Sequence, residues 1–263
     1  MGSELTARGV DTSGRSWSAR ALVDAPDVVR AIHRDHVRLG AQVLRTNTFR
    51  TREADVGSRW AELARLAVAL AREATRAGVR VAGSLGPVGD CYRPDATPDA
   101  DAARSAHEAL ADTLAAAGVD LFVCETFPTP AEAVIATRAC ARFGLPVWTS
   151  LTAGPDGELL TPAELADGAR AAHDAGASVV LVNCVAAARI EPYVDALARL
   201  GVPFGMYANG ASWNGPRISP DAYGELVARC MGRGASVVGA CCGTGLAHLA
   251  AAHDALAKPA HTS

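Results

Sequence analysis

Three cysteines stand at the ends of two apolar runs: Cys184 closes the run from Ala177 to Cys184, and Cys241 and Cys242 close the run from Ala235 to Cys242. Three thiolates with one position left open are what a catalytic, thiol-accepting zinc site requires, since a fourth protein ligand would make the site structural. Soft sulfur selects Zn2+ over magnesium or calcium. A substrate thiol entering the open position would lose its proton in the cation's field, at a pH where a free thiol of pKa about 8.5 is mostly protonated. The plainer reading is that these are small core residues, because cysteine is among the most buried residue types. The three also form no local C-x-x-C pair. What favours a site is their common position at run ends. Cys91, Cys124, Cys140 and Cys230 lack that placement, and core filling or an exposed thiol accounts for them.

The elements that must position the thiols repeat along the chain. A helix ends in glycine, a short β-rich run follows, then a polar loop and another helix. The glycines are Gly40, Gly78, Gly118, Gly144, Gly176, Gly201 and Gly234, each where a helix C-terminus wants positive φ. The runs after them are Ala41 to Thr46, Val79 to Ser84, Val119 to Glu125, Leu145 to Leu151, Ala177 to Cys184, Val202 to Tyr207 and Ala235 to Cys242. They are mostly continuous in apolar residues, as parallel strands covered on both faces are. Thr129-Pro-Ala-Glu132 and Thr161-Pro-Ala-Glu164 both fit a capping box with Pro at the first helical position.

Seven β/α units without a linker predict one α/β domain over residues 1–263, a TIM-type barrel rather than an open sheet. The C-terminal ends of barrel strands carry the active site. Here those ends hold Thr46-Asn47-Thr48, Ser84, Glu125-Thr126, Ser150, Asn183-Cys184, Asn209 and Cys241-Cys242.

A net charge of -3 without a basic stripe argues against nucleic acid as a partner. No apolar run reaches membrane-spanning length and no signal core opens the chain, so a cytoplasmic protein without membrane contact is expected. Seven cysteines, an odd number without a signal peptide, point to reduced thiols. Most of the seven histidines, among them His33, His36, His107, His173, His248 and His253, fall on predicted helices, where solvated faces account for them.

Gly-Ala-Cys241-Cys242-Gly-Thr and Val-Asn183-Cys184 resemble the paired zinc motifs of the homocysteine S-methyltransferase family. Met1-Gly-Ser-Glu-Leu5, Trp17-Ser-Ala, Thr46-Asn-Thr-Phe49, Gly83-Ser-Leu-Gly-Pro87 and Glu125-Thr-Phe127 are similar to further family segments, in the family's order. The resemblance implies an eight-stranded (β/α)8 barrel, with Cys184, Cys241 and Cys242 as zinc ligands and Glu125 binding the substrate's ammonium. A carboxylate at a strand end suits that role. The alternative for Glu125 is a solvated loop carboxylate or a helix N-terminal residue. Asn47, Ser84 and Asn209 either orient the substrate carboxylate or tie loops to the backbone.

Two departures stand out. The family's first strand, ending in an acidic residue, is missing, and the chain begins where that strand should end. Either the true start lies upstream or the barrel has an open seam, which pairing with another chain, as in a homo-oligomer, would relieve. Tyr207-Ala-Asn-Gly-Ala211 also replaces the family's Tyr-Pro-Asn-Ser-Gly, which implies either altered preference at the mouth or a neutral loop change. Arg50 could touch a donor or face water.

The resulting expectation is methyl transfer to homocysteine, for methionine biosynthesis, from a small diffusing donor. S-methylmethionine and S-adenosylmethionine come first, then betaine. The alternative is a non-catalytic zinc or thiol-binding barrel that needs a partner to complete it. A phosphate-binding isomerase using Gly83 to Gly86 is the most distant option.

Overall fold

The structure, a computed structural model, describes residues 1–257. Each of the seven glycines has positive φ, from 68° at Gly144 to 115° at Gly176, and each is followed by a strand. The strands are β1 Val43–Arg45, β2 Arg80–Leu85, β3 Leu121–Phe127, β4 Val147–Leu151, β5 Val179–Ala186, β6 Phe204–Asn209 and β7 Val237–Ala240. All pair in parallel, in the order β1-β2-β3-β4-β5-β6-β7. The Arg45 guanidinium on β1 reaches the Ala240 carbonyl on β7 at 3.4 Å. A flat sheet would hold those strands about 29 Å apart. The sheet is therefore curled into a TIM-type α/β barrel of seven strands, with β1 and β7 as its two edges among the described residues.

Alternation sorts the side chains into two layers. Phe122 and Cys124 of β3, Val180 and Val182 of β5, and Met206 and Ala208 of β6 face the outer helices in the main apolar core. That core includes Leu110, Leu114, Leu165, Val194, Tyr223 and Leu226 from the surrounding helices. On the opposite face, Ala82, Leu121 and Val123 form a smaller cluster with Val43 and Trp148 inside the barrel. Above it the strand ends turn polar.

Thr161 forms the expected capping box with Glu164. Thr129 does not: it makes no side-chain cap bond, and its buried Oγ1 has no partner. Glu132 has turned away from it, and its Oε1 accepts from the Val88 amide at 2.7 Å and faces His107 Nε2 at 3.0 Å. The competing partners lie across the structure, so the local motif could not reveal them. The histidines also differ from expectation, for His33, His107 and His248 are buried rather than solvated. Each lies on the inner face of its helix, where Glu132 holds His107 and the Ile218 carbonyl lies 3.0 Å from His248 Nε2. No helix among the described residues is long and apolar enough to cross a membrane.

Candidate metal and substrate site

Regular alternation would send Cys184 outward with Val180 and Val182. Instead the β5–β6 register shifts between Asn183 and Ala186, and Cys184 takes a φ of 55°. After the shift Val185 faces the outer core, so one extra residue, Cys184, has been turned into the barrel. The β3–β4 ladder repeats the device between Cys124 and Phe127, with Thr126 at a φ of 68°. Positive φ costs a non-glycine residue about 1–3 kcal/mol, and bulges of this kind re-aim side chains beside active sites.

Asn183 locks the two bulges together. Its Oδ1 accepts from Ser150 Oγ at 2.6 Å and the Thr126 amide at 3.1 Å, and its Nδ2 donates to Thr126 Oγ1 at 2.7 Å and Cys184 Sγ at 3.2 Å.

Cys241 and Cys242 follow β7 directly. Their sulfurs and that of Cys184 lie within 4.8 Å of one another, with Cys184 and Cys241 at 2.8 Å. Asn209, at the end of β6, ties together the two segments that carry these thiols. Its Nδ2 donates to the Cys184 carbonyl at 3.0 Å and its Oδ1 accepts from the Cys242 amide at 3.1 Å. The Gly210 amide donates to the Cys242 carbonyl at 2.8 Å. A Cβ at Gly210 would meet the Gly243 carbonyl at 2.5 Å, so the altered Tyr207 to Ala211 segment is built against the cysteine turn.

The thiols titrate as one unit. Cys242 falls well below the ordinary thiol value because Cys184 and Cys241 both donate to its sulfur. Cys184 rises well above it, first because of its bonds to Cys241 and Cys242 and then by burial. The bond from Cys184 pulls Cys241 down, but Cys242 and burial outweigh it, and Cys241 is pushed up to about 12. Like charge among the three sulfurs therefore opposes their joint ionisation until a cation compensates it. Metal–sulfur bonds of about 2.3 Å in a tetrahedral site separate the sulfurs by about 3.8 Å, inside the spread seen here. The donor set fits a soft divalent metal with one position left open.

The cluster opens on a cavity of about 1340 Å³ that extends along the gap between β1 and β7. Glu125 lies in it, 6% exposed, with both of its oxygens hydrogen-bonded. Its Oε1 accepts from Ser84 Oγ at 2.5 Å, and its Oε2 accepts from Tyr207 OH at 3.2 Å and from Arg45. Burial is the largest single influence on Arg45 and opposes its charge, but Glu125, Tyr207, Cys241 and Cys184 together outweigh it and raise its pKa above the ordinary value. Arg45 also lies 4.6 Å over the Tyr207 ring. Sequence reasoning missed Arg45. The available signal was a charged residue inside an apolar run, at a position that alternation turns inward, where it must find a partner.

The remaining polar residues sort by what they touch. Asn47 is buried on the cavity wall, with Nδ2 donating to the Ser18 carbonyl at 2.7 Å. Thr48 Oγ1 donates to the Ser84 carbonyl at 2.7 Å, and Thr46 Oγ1 accepts from the Ser84 amide at 3.1 Å, lacing β1 to β2. Arg50 borders the cavity and donates to the Gly89 carbonyl at 2.8 Å. Close packing explains the glycines of the Gly83 to Gly86 turn. A Cβ at Gly83 would meet Leu114 at 3.1 Å and one at Gly86 would meet Phe49 at 2.6 Å, so packing alone accounts for both. Cys124, Cys140 and Cys230 are core residues, while Cys91 lines the cavity.

Comparison with known proteins agrees with this geometry. The profile of the family described as homocysteine S-methyltransferase matches residues 1–256. The homocysteine S-methyltransferase of Escherichia coli K12 is 29% identical over 95% of this chain and 91% of its own length. The S-methylmethionine–homocysteine S-methyltransferase of Mus musculus is 33% identical over 68% of this chain, a match that spans about half, 48%, of that protein. Among solved structures, the metallated form of the homocysteine methyltransferase MmuM from Escherichia coli superposes with a TM-score of 0.82 at 27% identity, covering 95% of this chain and 92% of that one. The chain belongs to the homocysteine S-methyltransferase family.

Proposed function

We propose that this chain moves a methyl group from a small sulfonium or quaternary ammonium donor to the sulfur of homocysteine, giving methionine, and that Cys184, Cys241 and Cys242 hold zinc for the purpose. The observation that carries this reading is the meeting of three thiols, from two separate strand ends, in the same cavity as Glu125. A zinc ion held there would supply the positive field that keeps the acceptor sulfur deprotonated at neutral pH.

The chain's own residues orient and enclose the reactants. Glu125 takes the acceptor's ammonium in a charge-assisted hydrogen bond. Asn183 and Asn209 hold the ligand segments in place. Trp17, Phe49, Tyr92 and Trp213 line the cavity and offer aromatic faces to a cationic donor. With a sulfonium donor, the new S–CH3 bond forms as the donor's C–S bond breaks, the electron pair leaves on the donor sulfur, and the acceptor's thiol proton passes to solvent. Proximity within the cavity provides the rate. S-methylmethionine stands first among donors because three relatives, 28–33% identical, are named for it; betaine, named for a relative also 33% identical, and S-adenosylmethionine follow.

Zinc-loaded protein incubated with homocysteine and each donor in turn tests this. Methionine should form from S-methylmethionine far faster than with the Cys242→Ser variant. Methionine formation from none of the donors by protein that holds zinc would overturn the reading in favour of a non-catalytic zinc barrel.

A further inference from the structure

The Arg45–Glu125 pair raises a question of charge. Glu125, the residue positioned to receive a substrate ammonium, already faces a guanidinium of the same chain. The two partners are not equivalent, for the Glu125 side chain is 7% exposed and that of Arg45 is 33% exposed. Arg45 lines the cavity, so its open part faces the space a substrate would fill. Its plane is fixed by Tyr207 below, Glu125 on one side and the Ala240 carbonyl on another. Ala240 immediately precedes Cys241. The guanidinium is thus anchored one residue from the thiol cluster. Of its five N–H donors, one contacts Glu125 and one makes only a long, 3.4 Å contact with Ala240.

We infer that Arg45 is the specificity residue that binds the carboxylate of the acceptor, so that Arg45 and Glu125 together read an α-amino acid as a zwitterion. The inference rests on the methyl-acceptor role proposed above. An α-amino acid carries its carboxylate and ammonium on one carbon, and an adjacent guanidinium and carboxylate present the complementary order of charge. The internal pair keeps both groups satisfied when the cavity holds no substrate, avoiding an unpaired buried charge. With an amino-acid thiol bound, the single ion pair becomes an alternating set of four charges. A planar guanidinium is the group suited to gripping a carboxylate by two parallel hydrogen bonds. The acceptor class that follows is a thiol bearing a free α-carboxylate beside its ammonium. Simple aminothiols are disfavoured because they would leave a second cation facing Arg45.

Calorimetric titration of the zinc-loaded full chain with three thiols tests this: homocysteine, 3-aminopropane-1-thiol, which lacks the carboxylate, and 4-sulfanylbutanoate, which lacks the amine. Wild-type protein should bind homocysteine about 10- to 100-fold more tightly than either analogue, the range expected for losing a hydrogen bond to a charged group. Arg45→Met should lose about that factor for homocysteine and nothing for 3-aminopropane-1-thiol, and Arg45→Lys should recover part of the loss. Equal weakening of both amine-bearing ligands in Arg45→Met, or unchanged homocysteine binding, would overturn the assignment. Should Arg45→Met not fold, the wild-type comparison decides, and equal affinity for homocysteine and 3-aminopropane-1-thiol overturns it. Methyl transfer is scored separately. Selective homocysteine binding lost in Arg45→Met supports the assignment even where no donor is used, while transfer by wild type with unaltered binding in Arg45→Met overturns the assignment alone.

Discussion

Replacing Asn209 by Ala should loosen the metal site without touching a ligand. The side chain is 3% exposed and joins the two segments that carry the thiols, donating to the Cys184 carbonyl at 3.0 Å and accepting from the Cys242 amide at 3.1 Å. Each buried bond is worth about 1 kcal/mol net, and about 1–3 kcal/mol where its partner is left unsatisfied. The pair therefore contributes about 2–6 kcal/mol. Part of that falls on overall stability and part on the positions of Cys184 and Cys242, so zinc affinity should drop about 10- to 100-fold, as for other groups that orient metal ligands. Competition against a chromophoric chelator measures it. Asn47→Ala is the control: its amide bonds to the Ser18 carbonyl and to neither ligand segment, so it should leave zinc affinity within about threefold of wild type. A folded Asn209→Ala protein that binds zinc as tightly as wild type would refute the reasoning.

Other consequences concern stability. Burial, reinforced by neighbouring His36, pushes His33 down to about 3, so the folded chain keeps it neutral while the unfolded chain protonates it below about 6.5. Stability from this residue is complete above that pH and falls at up to about 1.4 kcal/mol per pH unit as pH drops toward 3. Chemical denaturation between pH 7 and 5 should show a shallower loss in His33→Leu than in wild type; an unchanged slope would contradict the assignment. Thr161→Ala should cost about 1 kcal/mol by removing a working cap. Thr129→Val should be neutral or stabilising, because its hydroxyl is buried without a partner. Urea midpoints of the two variants should move accordingly.

The seven glycines marked the helix ends because positive φ is a local requirement that one residue type meets cheaply, and all seven have it. The thiols were legible for a related reason: parallel strands end on one rim, so polar residues at run ends must meet. What the runs did not reveal depends on contacts between distant segments. The turn that brings Cys184 inward comes from a shift in the β5–β6 register that Asn183 stabilises through Thr126 and Ser150. Glu132 abandons its cap for Val88 and His107, and Arg45 answers to Glu125, 80 residues away. From sequence, Asn209 is either a substrate contact or a loop tie. The structure spends both ends of its amide on the segments that carry Cys184 and Cys242.

The central claim is that Cys184, Cys241 and Cys242 form an open zinc site that takes the acceptor's sulfur as its fourth ligand. X-ray absorption at the zinc edge, recorded on the purified full chain with and without homocysteine, tests it directly. Three sulfur neighbours at about 2.3 Å should become four when homocysteine is added, and the signal should be lost in Cys241→Ser. Protein without zinc, or a sulfur count that stays at three with homocysteine bound, would contradict it.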